Sequence, residues 1–143
     1  MAVVRSRVDY ALARRATLAG LFTGRISSLD VCDAHTYLLR AAKFHGEPTD
    51  DDCPVCKKER LTHVTYTYGD VFKGETNGLV RKSQELEDLA DEYGEFTVYV
   101  VEVCRTCGWN HLATSYVLAS TLARPVKAAR RAKAGPAAAL AEE

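Results

Sequence analysis

The chain has 143 residues, five cysteines and a formal net charge of zero. That length allows one domain or two small ones, and the neutral balance removes any whole-chain electrostatic case for a nucleic-acid or membrane-surface protein. No apolar run approaches the roughly 18 residues a membrane helix needs and no secretory signal is evident, so the expectation is a soluble, cytoplasmic protein whose cysteines stay reduced.

Residues 5–46 read as a helical region. In "RVDYALARRATLAGLFTG", Val8, Leu12, Ala16, Ala19 and Phe22 recur at steps of three and four, which predicts one helix with an inward apolar face and a stop at Gly24. Two shorter helices follow, the first capped by Ser27 or Ser28 with Asp30 in its opening turn, the second starting between Asp33 and Thr36 and stopping at Gly46. "GEPTDDD" reads as an irregular acidic connector.

Residues 53–120 read as β-rich. "RLTHVTYTYGDVF" alternates, with Val64, Tyr66 and Tyr68 on one face and His63, Thr65 and Thr67 on the other. A helix is predicted over 83–93, capped by Ser83 and ended by Gly94. "EFTVYVVEVC" is the clearest strand, and "HLATSYVLA" is its expected hairpin partner. Residues 124–143 are Ala-rich and basic with few core-forming side chains, so a disordered tail is expected. Charge is unevenly spread: residues 83–103 carry −7, whereas residues 1–46 and 104–143 each carry +4.

The chemistry lies in "CPVC" at 53–56 and "CRTCGWNH" at 104–111. Two cysteines separated by two residues can turn back and offer both sulfurs to one ion. Two such turns complete a tetrahedral shell, so Cys53, Cys56, Cys104 and Cys107 are predicted to bind one structural Zn2+. Pro54 preorganises the first turn. Gly108 is expected to take a left-handed or otherwise permissive conformation after the second, whereas the first has Lys57 at that position. The 47 residues between Cys56 and Cys104 exceed the usual ribbon spacing, and the predicted strand, helix and second strand account for them. The fold class is therefore α+β: a helical N-terminal segment packed on a zinc ribbon with a helical insertion.

Other readings of the four cysteines are a redox dithiol, opposed by the second pair leading into a strand, and an iron–sulfur cluster. His111 is a candidate substitute ligand. Cys32, on a helix beside Leu29 and Val31, reads as a small core residue.

Together, "RSRVDYALARRATL", "DVCDAH…LLRAAKFHGEPT", "CPVC", "THVTYTYGD", "TVYVVEVCRTCGWNH" and "SYVL" resemble a small actinobacterial family catalogued as a domain of unknown function, across about residues 5–118. The resemblance implies zinc binding and a bacterial cytoplasm, and no activity.

A closed four-cysteine site has no free position to activate water. The sequence offers no phosphate-binding glycine loop and no paired catalytic carboxylates. The functional expectation is a non-enzymatic adaptor or regulator that docks on the transcription or translation machinery, through protein, RNA or DNA, with no small-molecule substrate. Lys57, Lys58, Arg60, Arg105, Trp109 and His111 are the candidate contacts, as cations and ring faces beside the metal turns. The alternative is a DNA-binding regulator using the N-terminal helices as a helix-turn-helix, with Thr36 to His45 as recognition helix.

Overall fold

The structure is a computed structural model that describes residues 2–121; the tail expected over 124–143 lies outside them. The class is α+β. Six strands form one antiparallel sheet: β1 (Ala2–Asp9), β2 (Glu47–Asp52), β3 (Arg60–Tyr68), β4 (Leu79–Arg81), β5 (Glu95–Val103) and β6 (Asn110–Ser120). Their order is β1-β6-β5-β3-β2, and β4 pairs with β3 beyond the end of β2. Four helices decorate the sheet: α1 (Ala11–Phe22), α2 (Ser28–Val31), α3 (Thr36–His45) and α4 (Leu86–Tyr93).

Two expectations about the N-terminal half are corrected. Residues 2–9 are a strand, not the start of a helix, and pair with β6. Val4, Ser6 and Val8 alternate with the charged Arg5, Arg7 and Asp9, and Ser6, at φ 53, lies within a register shift between Arg5 and Val8. Likewise "EPTDDD" is strand β2: it runs along the outer edge of β3, where Asp50, Asp51 and Asp52 stay in water and Glu47 accepts from Ser83. An edge strand needs backbone pairing on one side only, so a polar sequence suffices.

α1 is a helix whose buried face is not the one its apolar residues suggest. Leu12 and Phe22 are 73% and 65% exposed. The inward side chains are Arg14, Leu18 and Leu21. Arg14 points in because its Nε donates at 2.6 Å to Glu102 on β5, whose side chain is only 8% exposed. A buried carboxylate demands such a partner.

Both faces of the central strands are covered. Val64 and Val103 pack against Ala41 and Ala42 of α3 on one face. On the other, Phe96, Val98 and Leu118 pack with Phe72 and with Leu86 and Ala90 of α4. Further along that second face, Leu61 and Trp109 pack under α1 and α2. β3 is therefore buried on both sides, including Thr65 and Thr67, rather than polar on one. The helix expected over 83–93 is present as a 3₁₀ turn, Ser83–Glu85, running into α4.

α2 is a single turn, held by Ser27 and Asp30 in a reciprocal cap. α3 spends its inner face on the sheet. Thr36 to His45, the recognition helix of the helix-turn-helix expectation, is α3.

Because Leu12 is on the solvent side, Leu12→Ala should change the unfolding free energy by no more than about 0.5 kcal/mol. Leu21→Ala, on the packed side, should cost about 1–3 kcal/mol. Urea denaturation of the two variants checks the orientation of α1.

Candidate metal centre

The register of the sheet builds the site. β3 and β5 pair with Thr62 opposite Val103. This sets the turn that enters β3 beside the turn that leaves β5, so Cys53 and Cys56 meet Cys104 and Cys107. All four Sγ atoms lie within 4.8 Å of one another. Cys53 to Cys107 is 3.7 Å and Cys56 to Cys104 is 3.6 Å. Cys53 and Cys104 are fully buried, Cys56 and Cys107 half-buried. This group can hold one metal ion.

The two turns match each other. Each closes with an amide four residues after its first cysteine: Lys57 N–H donates to Cys53 O at 3.1 Å and Gly108 N–H to Cys104 O at 3.0 Å. Each returns with the amide of its first cysteine: Cys53 N–H to Glu59 O at 2.9 Å and Cys104 N–H to Trp109 O at 2.8 Å. Backbone N–H groups of Val55, Lys58 and Cys107 point at the sulfurs of Cys53, Cys56 and Cys104, each at 3.4 Å. Such donors favour thiolate over thiol. The Lys58 amide accordingly draws the Cys56 thiol below its ordinary value, whereas burial pushes Cys104 and Cys107 up. A cation among these sulfurs would offset that burial.

Gly108 has φ 89, as its turn requires, and Lys57 occupies the equivalent position at φ 56. A lysine there costs about 1 kcal/mol or more. Gly108 has a second reason to be glycine: a Cβ would lie 3.0 Å from the carbonyl oxygen of Cys32. The segment after α2 crosses the turn at this point. Ala34 N–H donates to Gly108 O at 3.0 Å and Asn110 Nδ2 donates to Asp33 Oδ1 at 3.1 Å.

That crossing brings in a residue that sequence reasoning did not place at the site. Cys32 is half-buried against the core, and its Sγ lies 3.6 Å from that of Cys107. It is not one of the four mutually close thiols. No local pattern around Cys32 signals this, because the proximity spans 75 residues.

The candidate contacts separate into two groups. Lys57, Lys58, Arg60 and Arg105 are exposed; Arg60 lies 3.4 Å from Asp50. Trp109 is fully buried, and its Nε1 donates to Glu102 at 2.8 Å, on the same oxygen that Arg14 uses. It is part of the core and offers no open face for stacking. His111 lies over Trp109, with ring centroids 5.9 Å apart, and its Nδ1 is 2.8 Å from the carbonyl oxygen of Leu112. It is outside the group of four thiols.

The chain belongs to the family described as "Family of unknown function (DUF5318)", which matches residues 1–133. It is similar to the uncharacterized proteins Rv0049 of Mycobacterium tuberculosis (strain ATCC 25618 / H37Rv) and Mb0050 of Mycobacterium bovis (strain ATCC BAA-935 / AF2122/97). Each is 51% identical over 123 residues, which is 86% of this chain and 88% of the relative. No solved structure matches the chain.

The two turns should respond oppositely to substitution. Lys57→Gly should raise stability by up to about 1 kcal/mol by relieving its backbone conformation. Gly108→Ala should lower it by about 1–3 kcal/mol, since it meets both an unfavourable φ and the Cys32 carbonyl. Chemical denaturation under identical metal loading checks both.

Proposed function

We propose that the chain is a zinc-stabilised, non-enzymatic binding module that presents its two metal turns to an acidic protein surface. The observation that carries the zinc reading is the spacing of the sulfurs. Four sulfurs about 2.3 Å from a central zinc ion lie about 3.8 Å apart, and two of the separations among these four, at 3.6 and 3.7 Å, match that figure. Four thiolates and a dication carry a net −2, which the surrounding amide donors and the nearby Lys57, Lys58 and Arg105 counter. In this respect the turns resemble those of a zinc ribbon, set here in a larger sheet.

Four protein ligands leave no position for water or substrate, so the metal acts as a staple. It joins the β5–β6 connection to the start of β3. The docking surface is proposed at the tips of the turns. Lys57, Lys58 and Arg105 stand exposed there and form no ion pair among the described residues. A protein partner is favoured over nucleic acid because Trp109 is buried and supplies no stacking face. The cytoplasm is the proposed location; no helix among the described residues is long and apolar enough to cross a membrane.

Purified under reducing conditions, the protein should carry one zinc per chain by elemental analysis. Acidification should release it, because each thiolate must take up a proton to let go: the ion is held at neutral pH and lost as pH falls. Chelation at neutral pH should lower the unfolding temperature, and Cys53→Ser or Cys104→Ser should destabilise far more than Cys32→Ser. For the surface, a nuclease-treated bacterial lysate is passed over wild-type protein and over a Lys58→Glu/Arg105→Glu variant that retains zinc. Capture of a defined protein by the first and not the second supports the reading. Equal capture by both, or capture that nuclease abolishes, overturns it.

A further inference from the structure

We infer that Cys32 and Cys107 form an oxidation site for peroxides, in which a disulfide between them withdraws one ligand from the metal centre. The inference rests on the zinc reading above. Its basis is a placement particular to this fold: of the four clustered cysteines, Cys107 has a fifth cysteine sulfur against it, at 3.6 Å.

Three features make the pair suited to this reaction. The first is that Cys32 lies outside the four-thiol group and is therefore not committed to the ion. Cys53 is almost as close to Cys107, at 3.7 Å, but a bond between those two would strip two ligands at once. The second is position. Cys32 N–H donates to Ser28 O at 2.8 Å, and the next two residues are tied to Gly108 and Asn110, so the thiol is held over Cys107 rather than arriving by chance. Such placement raises the effective concentration of the resolving thiol. The third is access. Cys32, Cys56 and Cys107 are half-buried, whereas Cys53 and Cys104 are fully buried, so a small oxidant can reach Cys56 and Cys107, and of these Cys107 has the uncommitted Cys32 sulfur against it.

The chemistry balances with hydrogen peroxide as oxidant. The Cys107 thiolate attacks one peroxide oxygen, the O–O bond breaks, and Cys107 becomes a sulfenic acid with release of hydroxide. The Cys32 thiol then attacks the sulfenic sulfur, the S–O bond breaks, and its proton leaves with the oxygen as water. Two sulfurs have together lost two electrons to the peroxide. The ion retains Cys53, Cys56 and Cys104, and three ligands do not close a structural site. A dithiol reductant reverses the bond and restores the fourth ligand.

The test uses the full-length, zinc-loaded protein and its Cys32→Ala variant, which keeps all four clustered cysteines. Each is treated with hydrogen peroxide while released zinc is read with a chromogenic chelator, and disulfides are mapped by mass spectrometry. The expected result is a Cys32–Cys107 linkage as the first disulfide in the wild type, with zinc release at least about tenfold faster than in the variant. Release should be reversed on adding dithiothreitol and zinc. Equal release rates, or a first disulfide joining two of the four clustered cysteines, would overturn the inference. A wild type that purifies without zinc but still forms the Cys32–Cys107 bond would count against the zinc reading instead.

Discussion

The structure depends on the convergence of four sulfurs from two turns that are far apart in the chain and adjacent in the sheet. The antiparallel pairing of β3 with β5, with Thr62 opposite Val103, decides this. Once that register is set, the turn before β3 and the turn after β5 occupy the same end of the sheet. The length of chain between them has no bearing on the site. Everything inserted there, β4, α4 and the loops, emerges at the opposite end of β3 and returns through β5. A long gap between cysteine pairs is thus compatible with a compact centre, because the closing cost of a loop grows slowly with its length.

Around the sulfurs, the N-terminal segment serves as a clamp. The buried Glu102 accepts from Trp109 and from Arg14, which joins the second turn to α1. The segment after α2 is bonded to Gly108 and Asn110, which joins the same turn to the helices. Taking a carboxylate out of water is unfavourable unless its hydrogen bonds are made, and these two donors supply them. The centre is therefore linked to the core by polar contacts as well as by the packing of Leu61, Val31 and Trp109. A change at the sulfurs, such as the Cys32–Cys107 bond proposed above, would be felt by α1 and α2 before it reached the distant end around α4.

Much of the β-rich part was legible in the sequence. The two cysteine pairs, the strands at 95–103 and 110–120 to within about a residue or two of their ends, a strand at 60–68 that is shorter than read, the helix ending at Gly94 and a permissive Gly108 follow from spacing and local chemistry. The N-terminal half was less so, for identifiable reasons. Val8 fits both a period of two and a period of 3.6, and the helical pattern downstream drew it into the wrong element. In α1, the apolar stripe through Leu12 and Phe22 is more regular than the buried one, because the buried stripe contains Arg14; only knowledge of Glu102 explains an inward arginine. The acidic β2 has no hydrophobic pattern because it is an edge strand with solvated side chains. The place of Cys32 depends wholly on tertiary structure.

On the reading proposed above, the sheet is pinned at one end by a closed metal centre, with cations at its tips and no vacant coordination position. X-ray absorption at the zinc edge of the purified, reduced protein tests this most directly. The expected spectrum has a single first shell of four sulfurs at about 2.3 Å. A first shell containing nitrogen or oxygen, or fewer than four sulfurs, would contradict it.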